Sequence, residues 1–172
     1  MKKILYSIVF VTLIALAVPK IIGFNLAASL KETVELINSS ETHSGYSIRI
    51  KKLESRWFTS TAEINIEFDP YLVTGIDKFN EFVDINFTVT FLHGPFLKLD
   101  EWVLGRLAFR AELDKSLARD DVNYPDGESL YRLDGHIDLS GNASVVDSVP
   151  ALASHDKSFK TGGWSGQVTY TA

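Results

Sequence analysis

The sequence predicts a mainly β fold: a single curved antiparallel sheet, a meander, preceded by a membrane or amphipathic helix. Three observations predict it. The hydrophobic period changes from near four to two after residue 45. Within residues 82–91, Val83 to Phe91 alternate strictly between apolar and polar. Later apolar runs succeed one another without helical segments long enough to cross over between parallel strands, so sequence neighbours should pair antiparallel. At 172 residues, 45% apolar and 23% charged, the chain fits one domain with a real core.

The N-terminus stands apart. Met1, Lys2 and Lys3 precede the uncharged stretch ILYSIVFVTLIALAV, residues 4–18. With the small residues Ala15 and Ala17 around Leu16 it reads as a cleaved signal peptide. Continued past Pro19 and Lys20 to Phe24 it reads as a signal anchor, because residues 4–24 span roughly 30 Å at about 1.5 Å per residue. The anchor is preferred, since a second helical pattern comes next without a break in character. Either reading exports the chain beyond residue 24, and Lys2 and Lys3 hold the N-terminus on the cytoplasmic side. The expected divisions are 1–24, signal anchor or signal peptide; 25–40, amphipathic helix; and 41–172, antiparallel β domain.

In residues 25–38, Leu26, Leu30, Val34 and Ile37 form one apolar stripe, with Asn25 as the expected cap. Beyond Gly45, Tyr46, Ile48, Ile50 and Lys52 share one strand face and Ser47, Arg49 and Lys51 the other. A turn over 54–58 leads to a return strand at 60–68, with Ala62, Ile64, Ile66 and Phe68 inward. Asp69 and Pro70 end it, and residues 71–80 form a connection. In 82–91, Val83, Ile85, Phe87, Val89 and Phe91 take one face; His93, Gly94 and Pro95 are then expected to stop the strand in a tight turn. Further strands are expected at 106–113, 130–139, 143–149 and 165–171, with a polar loop at 120–129.

The basic and apolar N-terminus, the amphipathic helix, SRWFTSTAEINI at 55–66 and the alternating strand closing on HGPF at 93–96 together resemble the YdgA-like bacterial proteins, a family of unknown function. The resemblance covers residues 1 to about 115. It implies a single-pass protein of the bacterial inner membrane with its bulk in the periplasm, rich in β-structure, and it carries over no catalytic residues. Its motif positions here are Trp57, Phe58, His93, Gly94 and Pro95. Members are usually longer, which would leave 41–172 an incomplete domain.

No cysteine is present, which excludes disulfides, thiolate metal sites and thiol nucleophiles. The net charge is −5, and leaving out Lys2 and Lys3 puts 15 basic against 22 acidic residues, so a nucleic-acid backbone is not an expected partner. His93 lacks a recognised nucleophile motif and is read as a turn residue bonding backbone groups. Asp134, His136 and Asp138 alternate along one strand, too spread to close around one ion, and read as a polar face. Residues 121–127 depart from a calcium loop because Pro125 intrudes, and Ser165 misses the nucleophile elbow. No catalytic, cofactor-binding or metal residue is therefore expected. Trp57 and Phe58 suit either a contact surface or packing of one ring under the hairpin and the other over its edge.

One helix cannot cover one whole face of about seven strands. The expected function is thus a non-enzymatic, membrane-anchored envelope protein whose sheet serves self-association or binding of other envelope proteins. The alternative is lipid or apolar-ligand binding in an open sheet groove.

Overall fold

The computed structural model describes residues 2–39, 45–69, 83–113, 122–123, 129–154 and 158–171; within the helix, side chains are described at Tyr6, Thr12 and Leu13 and from Leu16 onward. The element order is α1 (Lys2–Ser39), β1 (Tyr46–Ser55), β2 (Thr59–Phe68), β3 (Val83–His93), β4 (Phe96–Lys98), β5 (Trp102–Leu113), β6 (Val122–Asn123), β7 (Arg132–Asp138), β8 (Ala143–Val149), β9 (Ala153–Ser154) and β10 (Trp164–Tyr170). The main sheet runs β1-β2-β3-β5-β7-β8-β10, every pair antiparallel; β4 pairs with β5, and β6 and β9 form a small pair of their own. The sheet is an open meander, as the alternating pattern requires.

The two helical segments of the sequence are one helix, so Asn25 is not a cap and Pro19 lies inside α1. Residues 4–24 carry the predicted span; most side chains of its first part lie outside the described residues. Among the described residues no helix is long and apolar enough to cross a membrane. The stripe of Leu26, Leu30, Val34 and Ile37 is half-buried, and Leu26 and Leu30 pack on a core of Ala62, Val89, Phe91 and Ala111. At the helix end the Asn38 side chain grips β1 like a short strand. Its Nδ2 donates to the Ile48 carbonyl at 2.7 Å, and its Oδ1 accepts from the Ile48 N–H at 2.9 Å.

One face of the sheet is apolar. Leu53, Ala62, Val89, Ala111 and Leu133 lie opposite one another across five strands. Helix α1 covers this face at β1 and β3. The reverse face carries Thr61, Thr90, Arg110 and Asp134 in the neighbouring row. There Asp134 accepts from Arg110 Nε and Nη2 at 2.8 and 3.1 Å, and Asp100 accepts from both Arg110 and Arg132.

Two expectations need correction. Lys52 does not share the inner face of β1, because the register shifts between Ile50 and Lys52, so that Ile50 faces Ile64, Lys52 faces Glu63 and Leu53 faces Ala62. One extra residue in a bulge reverses the parity beyond it and brings Leu53 to the core in place of Lys52. Strand β3 does end at His93 as expected, but Gly94 and Pro95 form no tight turn there that stops the pairing. His93 pairs with Leu107 and Phe96 with Leu104, the same register on both sides of the motif. Gly94 N–H still donates to the Arg106 carbonyl and Gly105 N–H to the Pro95 carbonyl.

The motif is thus a kink inside one long hairpin whose loop is residues 99–101. A positive φ of 121° at Gly94, which residues with a Cβ rarely adopt, makes the kink. Beyond it the hairpin folds toward the polar face, since Asp100 in its loop reaches Arg110 and Arg132. Leu97, 1% exposed, is the inward side chain, a burial worth about 2 kcal/mol. Phe96 and Trp102 face outward.

Candidate functional site

The family-motif positions converge where α1 meets the sheet. Proline has no N–H, so Pro19 leaves the carbonyl of Ala15 without its helical donor and loosens that turn. The next carbonyl, of Leu16, accepts a hydrogen bond from Trp57 Nε1 at 2.8 Å. Pro19 itself is buried, and its ring lies against Gly94: a Cβ built on Gly94 would stand 3.0 Å from Pro19 Cγ and 3.8 Å from Phe58 Cδ1. Trp57 and Phe58 are both about half exposed, so neither ring is packed fully under the hairpin. Pro95 is half-buried and accepts the Gly105 hydrogen bond that holds the kink.

His93 lies beneath, 1% exposed. Its N–H donates to the Phe58 carbonyl at 2.8 Å, which ties the end of β3 to the β1–β2 turn. The imidazole Nε2 is 2.9 Å from Ser60 Oγ, and the Ser60 hydroxyl also reaches Ser55 Oγ at 3.2 Å. Nδ1 is buried without a hydrogen bond of good geometry. The ring fills the space that Gly23 leaves in the helix: a Cβ there would be 2.5 Å from His93 Cε1. Beside the backbone of Trp57 and Pro19, the imidazole takes a side-chain bond to Ser60 that the turn reading did not include.

Burial lowers the His93 pKa; the nearby backbone of Trp57 and Pro19 acts against that shift, and Lys20 adds to it. A base whose pKa is lower in the folded chain is neutral there and takes up its proton more readily when unfolded. Stability from this group is complete above the unfolded pKa and is lost as pH falls through the folded pKa. Unfolding at a series of pH values should show stability decreasing on acidification from neutral, and His93→Gln should flatten that dependence.

A serine and a histidine at this distance have the spacing of a nucleophile and its base. Here Ser60 is as buried as His93, and among the described residues no carboxylate bonds Nδ1. Sequence reasoning missed Ser60, Gly23 and Pro19 as partners. Ser60 shares the parity of Ala62, and a polar residue on a core face was the available signal of a buried partner.

The other candidates are not brought together. Asp134 is occupied by Arg110 and Arg132, while Asp138 accepts from the N–H groups of Gly141 and Asn142 and from Asn142 Nδ2, closing the β7–β8 turn. That turn's bonds also lower the Asp138 pKa, the Asn142 side chain most. Among the described residues no group of three or more metal-ligating side chains forms a cluster. The polar loop 121–127 lies outside the described residues except for Val122 and Asn123, as does the connection 71–80. Ser165 stands on β10 opposite Ser148. A groove of about 400 Å³ between α1 and β1 is lined by Lys31, Lys51, Lys52 and Glu35 among Val34, Ile50 and Leu53.

The model of a family described as "Bacterial protein of unknown function (DUF945)" matches residues 1–172. No curated protein and no solved structure matches the chain.

Proposed function

We propose that this chain, which belongs to the DUF945 family of bacterial proteins of unknown function, is a non-enzymatic envelope protein, held in the inner membrane by the apolar start of α1, with its sheet in the periplasm used for assembly. The YdgA-like resemblance and the basic flank of an apolar stretch support the location. The observation that carries the assembly role is the unequal finish of the two sheet edges. Edge β1 is protected by Arg49, Lys51, Lys52 and a bulge. Edge β10, WSGQVTY, has no charge, no proline and no register shift, and Trp164, Val168 and Tyr170 are exposed on it.

A second copy fits that edge. Antiparallel pairing centred on Gln167 sets Trp164 opposite Tyr170 and Val168 opposite Gly166, without like charges, and continues the apolar face that α1 leaves open. The full chain in detergent micelles should therefore self-associate in sedimentation at micromolar concentration. Val168→Lys should weaken association about tenfold or more, equivalent to ~1.4 kcal/mol. A wild-type chain monomeric across that range would overturn the reading. The groove between α1 and β1, lined by three lysines and a glutamate, suits a charged group better than an acyl chain, so lipid carriage is not favoured.

A further inference from the structure

Two surface patches of opposite charge stay unsatisfied within one chain. The first is the outer side of the β4–β5 hairpin. Pairing sets Phe96 opposite Leu104 and Lys98 opposite Trp102, so that one lysine stands among three exposed apolar side chains. Lys98 Nζ lies 5.5 Å from the centroid of the Trp102 ring, and among the described residues no carboxylate pairs with it. Of the two acids nearby, Asp100 is bound by Arg110 and Arg132, and Glu101 lies in the hairpin loop beyond this square of side chains.

The second patch lies on the apolar face near the β10 edge. Along β8, Ala143, Val145, Asp147 and Val149 share that face, and Asp147 has Leu133 on one side and Gly166 on the other. It is a half-buried charge in an apolar row, without a hydrogen bond or ion pair among the described residues. Burial raises the Tyr131 pKa, and the uncompensated Asp147 charge adds to that rise. The carboxylate leans over Gly166: a Cβ built there would stand 2.6 Å from Asp147 Oδ1 and 3.2 Å from Trp164 Cζ2. Gly166 therefore floors a notch walled by a carboxylate and an indole, two groups that both attract a cation. Helix α1 packs on β1 and β3, away from this notch.

Each patch supplies what the other lacks, a cation with apolar flanks against an anion with apolar flanks. The hairpin leans toward the polar face and Asp147 sits on the apolar one, so the two do not meet within one chain. We propose that the notch over Gly166 takes Lys98 of a second copy, with Phe96, Trp102 and Leu104 of that hairpin laid on Leu133, Val145 and Val168. The two patches differ, so the contact is head-to-tail and does not close on itself. Four side chains on each partner fall short of the about 800 Å² that each side of a stable complex buries. The contact therefore works between edge-paired dimers, each carrying two hairpins and two notches. In this it rests on the pairing of β10, which uses the backbone of that strand and leaves the face above Gly166 open.

Full chains in detergent micelles, half of them isotopically labelled, are treated with a water-soluble carbodiimide, which joins an amine to a carboxylate in direct contact. Peptides joining Lys98 to Asp147 should combine labelled with unlabelled chains, and sedimentation should show species beyond the dimer. Lys98→Glu and Asp147→Lys should each remove that link and weaken association between dimers about tenfold or more, while the dimer remains. Combined in one chain, the exchanged charges should restore the larger species. Dimers without a link or a larger species would overturn the contact and leave edge pairing intact. Larger species indifferent to either single substitution, or a double variant no better than the singles, would also overturn it. A chain that stays monomeric would overturn the contact and the edge pairing together.

Discussion

Gly23→Val is expected to destabilise the full chain by about 2–3 kcal/mol, the upper part of the range for overpacking a core. The position is helical, where valine has a better intrinsic propensity than glycine, so local structure alone predicts a small gain. Packing reverses the sign. The added Cβ would stand 2.5 Å from His93 Cε1, and the ring has no room to retreat because it is buried and held at Ser60. Urea unfolding in a fixed micellar background measures the difference. An unchanged midpoint would mean that α1 does not press on the sheet at this point.

His93→Ala should cost about 2–4 kcal/mol, through the cavity it leaves and the Ser60 hydroxyl deprived of its partner. This exceeds the roughly 1 kcal/mol expected for a turn residue that loses one hydrogen bond. The two substitutions should also compensate, since valine at 23 would grow into the space vacated by the imidazole. Combined in one chain they should cost clearly less than their sum, the mark of residues in direct contact. Strict additivity would separate Gly23 from His93.

Four of the five positions read as a motif, Trp57, Phe58, His93 and Gly94, act on one junction. Trp57 bonds the helix turn opened by Pro19, the Phe58 carbonyl takes the His93 N–H, and Gly94 makes room for the Pro19 ring. A helix resting on a sheet through Leu26 and Leu30 alone could slide along its stripe; the Pro19 contacts and the Asn38 clasp fix it at two heights.

Strand positions were legible because side chains alternate across a pleated strand, and Val83 to Phe91 needed only that alternation to be placed. Antiparallel order came from the lack of helical segments long enough to cross over between successive strands, and the helix stripe at Leu26 and Leu30 from the 3.6-residue period. Local pattern determined these features because each depends on residues close in the chain.

The bulge that exchanges Lys52 for Leu53, the kink that carries the pairing on past the strand end at His93, and the meeting of Pro19, Gly23, Ser60 and His93 were decided by tertiary structure. Glycine and proline report only which backbone angles are permitted. Whether Gly94 closes a turn or bends a continuing hairpin depends on the partner strand, and Gly23 acquires its meaning from an imidazole 70 residues away in the chain, brought there by the pairing of β2 with β3. Contacts between distant segments arise from the packing of whole elements, which no local period encodes.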